Sequence, residues 1–210
     1  MPRMQLTPGE EQAMRRRLVD AGLALYRAGG LEAVSFRRLA DATGISHTLP
    51  YRYFADKDAL LAAMRCTCVR AFEQVLRESV VAAAPAAAHI RSFAAAYVGY
   101  ARRCTADYLL IFTTEQPSPA RYPELLAARQ APFELAVVVV QATIDAGLLV
   151  GNARLVAHQF WVTLHGLMTL YTANQLVHGC TVDELLEPLL GGVMAANAGA
   201  HGSQSVEEVS

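Results

Sequence analysis

Apolar residues recur at three- and four-residue steps along almost the whole chain, and that period restricts it to helices. Met14, Leu18, Ala21 and Leu25 form one such set. Leu60, Leu61, Met64, Cys68, Phe72 and Val75 form another. No stretch alternates apolar with polar residues as a half-buried strand would. Gly and Pro fall between the periodic segments, where they break helices. Thr7-Pro8-Gly9-Glu10 is a capping box with proline at the first helical position, and Gly29-Gly30 closes that helix. Short helices are expected at 36–43, capped by Ser35, and at 46–54, capped by Ser46. Asp56 caps a long helix to about residue 82. Further helices are expected at 88–104, 106–114, 124–147, 153–178 and 182–198, with turns at 83–88 and 115–119. The tail 199–210 is small and polar and is expected to be disordered. The fold class is therefore all-α.

The chain has 210 residues, 53 % of them hydrophobic and 18 % charged. This excludes disorder as the main state. It also exceeds the apolar content a monomer of this size needs, which points to a subunit interface or an apolar cavity. The net charge is −1, but it is unevenly spread: residues 1–57 hold nine basic and six acidic side chains. A basic N-terminal segment on an acidic body suits an anionic partner at one end only. The four cysteines, Cys66, Cys68, Cys104 and Cys180, form no metal-ligand spacing or disulfide framework. His158 and His165 lie seven apart with no third ligand, so no metal is expected, and no cofactor motif is present. Without an apolar signal core or a long aliphatic run, the chain is expected to be cytoplasmic, with no membrane partner.

Residues 35–57 carry the chemistry. A two-turn helix, a glycine and a second short helix make a helix-turn-helix. Phe36, Leu39, Ala40, Ile45 and Phe54 can pack the two helices together, and Ala40 allows close approach. Gly44 suits the left-handed backbone of the turn. The residues after Ser46 would then face base edges. The run from Ser35 to Leu60, with its Leu-Ala pair, Ala-Thr-Gly-Ile-Ser, Tyr-Arg-Tyr-Phe and Lys-Asp-Ala-Leu, resembles the TetR family of bacterial transcription regulators. The resemblance covers residues 8–57.

The resemblance implies a role for each matched position. His47, Thr48 and Leu49 match base-reading positions. Tyr51 matches an aromatic that meets backbone or a thymine methyl, Tyr53 a phosphate contact, and Ser35 a cap that meets phosphate. Arg37, Arg38 and Arg52 complete the expected DNA face, although Arg37 and Arg38 read alone also suit a solvated helix face. Lys57 is the chain's only lysine and stands at a helix N-terminus, where a cation opposes the helix dipole. An external phosphate would resolve that conflict. Pro50 departs from the family's usual leucine. It removes one backbone donor, so a locally opened first turn with later bonds intact is expected.

The body resembles the family's ligand-binding and dimerisation domain. Trp161, His165 and Gly166 match a Trp-x-x-x-His-Gly signature of one subfamily. Helices 153–178 and 182–198 are apolar on more than one face, which suits a four-helix dimer bundle. Such a homodimer would set two reading heads roughly 34–36 Å or somewhat more apart on a near-palindromic operator of double-stranded DNA. Tyr97, Tyr100, Tyr108, Phe112, Phe133, Trp161, His165 and Met168 are candidates for binding a small-molecule effector, although residues of this kind at helical spacing are more often plain core. The expected domains are 1–57 for DNA and 58–198 for ligand and dimer. The expected function is a ligand-responsive repressor, released by a small apolar or aromatic molecule. An all-helical enzyme would need a nucleophile–base pair or convergent carboxylates, and no such pattern is present. A helical interaction module without DNA binding has Pro50 as its only support.

Overall fold

A computed structural model describes residues 7–82, 85–112 and 121–199. The expected disordered tail from residue 200 and the expected loop at 115–119 lie outside the described residues. The described elements are helices α1 (Pro8–Gly29), α2 (Phe36–Thr43), α3 (Lys57–Ala82), α4 (Ala86–Arg103), α5 (Thr105–Phe112), α6 (Pro123–Asp145), α7 (Ala153–Thr172) and α8 (Val182–Ala196). Among the described residues no strand forms, only an isolated bridge between Leu149 and Ala198.

Local chemistry accounts for the helix ends. Thr7 accepts from the Glu10 amide while Glu10 reaches back to the Thr7 amide, completing the box that opens α1. Gly30 stops the helix at φ 68°. Thr181 and Glu184 repeat the same box at α8. Asp56 Oδ1 accepts from the Ala59 amide at 2.8 Å and so caps α3. The helix expected to run to 178 instead ends at Thr172. Asn174 turns left-handed at φ 55°, and the Gln175 amide bonds back to the Leu170 carbonyl at 2.8 Å. This is the closing geometry usually given by glycine, here supplied by asparagine.

The chain divides into two compact units, one of residues 1–69 with 110–128 and one of residues 70–109 with 129–210. In the first, Leu18, Leu39, Leu60, Met64 and Phe54 are almost wholly buried. Burying each such side chain stabilises by about 1.5–3 kcal/mol. The buried face of α1 is Leu18, Val19, Gly22, Leu23 and Tyr26, centred one position away from the Met14/Ala21/Leu25 line. Gly22 sets that rotation: a Cβ there would meet the Met64 sulfur at 2.9 Å. Residues 110–128 join this unit through Leu125, which packs on Ala62 and Cys66, and through Arg121, which pairs with Asp56.

In the second unit, Ala94, Ala101, Tyr108, Val156, Ala157, Met168 and Leu190 form the buried centre. Arg91 pairs with Glu187 at 3.0 Å and Arg102 with Asp183 at 2.9 Å, fastening α4 to α8. The Val150 amide bonds to the Asn197 carbonyl at 2.8 Å, which ties the α6–α7 connection to the end of α8. By length and composition α6 is the one described helix apolar enough to cross a bilayer. It nonetheless carries Glu134, which makes paired bonds of 2.9 and 2.7 Å to Arg154 of α7.

Candidate nucleic-acid interface

The helix-turn-helix forms in its first half as its residues dictate. Ser35 accepts from the Arg38 amide and starts α2. Gly44 ends α2 at φ 67°, ψ 32°, and the Ile45 amide returns to the Ala40 carbonyl at 3.1 Å. That left-handed turn sends the chain back across α2.

The second half differs from expectation. No α-helix forms over 46–54. Residues 47–49 make a turn and Pro50–Arg52 a short 3₁₀ helix. Pro50 has no N–H, so the Ser46 carbonyl cannot be met four residues on. The Leu49 amide takes it instead at 3.0 Å, and Arg52 then bonds Leu49 and Tyr53 bonds Pro50 at the same three-residue step. A four-residue step returns only at the Phe54 amide, 3.1 Å from the Pro50 carbonyl. The opening therefore spreads over two turns rather than one. Ser46 caps no helix, since its hydroxyl meets that of Thr48 at 3.3 Å.

Side chains from α1 brace this irregular segment. Arg15 donates to the Tyr53 carbonyl at 2.7 Å and lies over the Phe54 ring at 4.4 Å. Arg17 donates to the Thr43 carbonyl at 2.6 Å. Sequence reading counted these arginines only as charge. Their roles depend on contacts 38 and 26 residues away in sequence, which no local pattern announces.

Arg37, Arg38, His47, Thr48, Tyr51, Arg52 and Lys57 are exposed, while Ser35 and Leu49 are half-buried. Tyr51 sets its ring edge-on to Phe36 at 4.6 Å. His47 Nε2 lies 2.8 Å from Asp41 Oδ1. Lys57 Nζ donates to the Leu31 carbonyl at 3.0 Å, so a backbone oxygen meets one of its three donors at the start of α3. Tyr53 does not present its hydroxyl outward: that oxygen is buried and lacks a hydrogen-bond partner.

In the other unit, three of the ligand candidates form a polar cluster. Tyr108 Oη lies 2.9 Å from His165 Nδ1. Tyr97 Oη lies 3.2 Å from Tyr108 Oη and 3.3 Å from His165 Nδ1. Burial pushes Tyr97 well above the usual tyrosine value, raises Tyr108 to about 12 and lowers His165. All three groups are thus neutral near pH 7, and they satisfy one another as buried polar groups must. Trp161 stacks on His165 with centroids 5.7 Å apart, and Phe133 meets Trp161 at 6.2 Å. Tyr100 packs on Phe72 at 5.1 Å, and Phe72 also meets Tyr97 at 5.2 Å. Met168 is wholly buried. Phe112 closes α5 in the first unit. Among the described residues, no three His, Cys, Asp or Glu side chains are grouped to hold a metal ion.

Comparison with known proteins bears on both units. Residues 18–64 match the family described as bacterial regulatory proteins, tetR family. Residues 90–193 match the tetracyclin repressor-like C-terminal domain. The chain belongs to the TetR family. It is 36 % identical over 90 residues to the HTH-type transcriptional regulator BetI of Rhizobium meliloti, covering 43 % of this chain and 42 % of that protein. It is 36 % identical over 70 residues to the HTH-type transcriptional repressor KstR of Rhodococcus jostii, covering 33 % of this chain and 32 % of that protein. The match thus spans less than half the length of either relative. A solved structure of a protein of unknown function from Rhodococcus sp. RHA1 superposes on this TetR-family fold with TM-score 0.78 and 26 % identity, covering 94 % of this chain and 99 % of the other.

Proposed function

We propose that this TetR-family protein is a cytoplasmic, homodimeric repressor that binds a near-palindromic operator and responds to a small apolar or aromatic molecule. The observation that carries the reading is the α2–Gly44 turn with Arg37, Arg38, His47, Thr48, Tyr51 and Arg52 all exposed on one braced unit. Arginines would neutralise phosphates, and His47 and Thr48 would meet base edges. The DNA-binding part is taken as 1–57 and the ligand and dimer part as 58–198.

The dimer reading draws on α7 and α8. Leu155, Val162 and Leu170 are exposed along one stripe of α7, and Leu189 on α8. Gly166, on the same stripe, and Gly191 and Gly192 of α8 have open space where a Cβ would stand. Nothing within one subunit requires these glycines, whereas a partner helix in close approach would. The effector reading rests on the aromatic row His158, Trp161 and His165 along α7, flanked by Phe133. Trp161 keeps 39 % of its surface exposed, so a flat apolar molecule could stack there. Trp161, His165 and Gly166 also suit the Trp-x-x-x-His-Gly subfamily. An effector that binds one spacing of the two heads more tightly would shift operator affinity by that difference.

Fluorescence anisotropy of labelled DNA from just upstream of the protein's own gene, against scrambled DNA and over a salt series, tests this. Selective binding that weakens linearly in log salt supports a phosphate-contacting repressor. Absence of binding to either DNA at low salt would overturn it.

A further inference from the structure

The pair of Asp41 and His47 lies inside the proposed reading head but does nothing evident for its fold. Their side chains are 59 % and 61 % exposed, and the contact is 2.8 Å. An exposed pair of this kind adds little to stability. Its consequence is chemical. A carboxylate only accepts, so His47 Nε2 must carry the proton of that bond. In the neutral ring Nδ1 is then left as an acceptor on a side chain that faces solvent.

We infer that Asp41 is a positioning residue that holds His47 as a hydrogen-bond acceptor toward the major groove, and so sets a base preference there. This rests on the DNA-binding reading above and deepens it. Each base pair shows one exocyclic amino group in the major groove, on adenine N6 or cytosine N4, and keto oxygens on thymine or guanine. An acceptor at Nδ1 favours the orientation that puts adenine or cytosine on the contacted strand. It repels thymine O4 and guanine O6. Asp41 also places a negative charge in a segment whose other exposed groups are largely basic, which opposes phosphate binding. Its removal should therefore raise general affinity while relaxing selectivity. A purely structural residue would lower both.

The test is selection of binding sequences from a random duplex library by the full-length protein, Asp41→Asn, Asp41→Glu and His47→Ala, with anisotropy on the selected and on random DNA. Circular dichroism melts confirm that each variant is folded. The wild type should favour adenine or cytosine over guanine or thymine about fivefold at one position per half-site. His47→Ala and Asp41→Asn should both flatten that position, Asp41→Asn should bind random DNA at least as tightly as wild type, and Asp41→Glu should restore the preference. A position unmoved by Asp41→Asn overturns the inference. A preference kept by His47→Ala but lost in Asp41→Asn also overturns it, since the carboxylate would then read cytosine directly. Failure of the wild type to bind any DNA would instead sink the DNA-binding reading and this inference with it.

Discussion

At the scale of single residues, small chemical differences decide large local outcomes. The Tyr53 hydroxyl is buried without a partner, and such a group costs about 1–3 kcal/mol of desolvation. Tyr53→Phe should therefore raise the melting temperature, by an amount equivalent to about 1 kcal/mol, and leave DNA anisotropy unchanged; lost affinity would mean the hydroxyl turns out to meet phosphate. His165 gives a pH prediction. Burial lowers its folded-state value below the ordinary 6.5, so on acidification the unfolded chain takes up the proton first. The stability contribution is full above about 6.5 and is lost as pH falls below it. The melting temperature should drop between about pH 7 and about pH 5, and His165→Gln, which can accept from Tyr108 but does not titrate, should remove part of that drop.

Among the elements, the segment after Gly44 is the instructive case. Its apolar positions and its resemblance both point to an α-helix, and one missing N–H at Pro50 rewinds it. Pro50→Leu should let the new amide reach the Ser46 carbonyl. Hydrogen exchange would then show protection at position 50 and a longer helix. The same segment depends on α1. Arg15→Ala removes the bond to the Tyr53 carbonyl and the stack on Phe54, and should lower the urea midpoint by about 1 kcal/mol equivalent. Arg15→Lys should recover little, because an ammonium lacks the planar fork that can donate and stack at once. The end of α7 follows a different logic: asparagine, not glycine, holds the left-handed position, and the helix stops six residues short of the expected 178.

For the whole molecule, the apolar surplus of the composition resurfaces as Leu155, Val162, Leu170 and Leu189 on the surface of α7 and α8. If α7 forms the seam of the proposed dimer, Val162→Glu should give a monomer in sedimentation equilibrium and weaken operator binding, while leaving the monomer's melting temperature little changed, since the residue is 64 % exposed. A dimer that persists would place the interface elsewhere.

Much of this was legible along the chain because it is local. The capping boxes at Thr7 and Thr181, the cap at Ser35, the left-handed Gly44 and the helical period all act within a few residues, where sequence spacing is spatial spacing. The fold class and the family run from Ser35 to Leu60 follow from them. Other features required the chain to close on itself. Arg15 and Arg17 grip carbonyls across the head, Lys57 reaches the Leu31 carbonyl, Tyr53 turns its hydroxyl inward, and His165 joins Tyr97 and Tyr108 from helices far apart in sequence. In each case a polar group buried or anchored by folding had to find whatever partner the packing brought near, and packing is a property of the assembled helices rather than of any one segment.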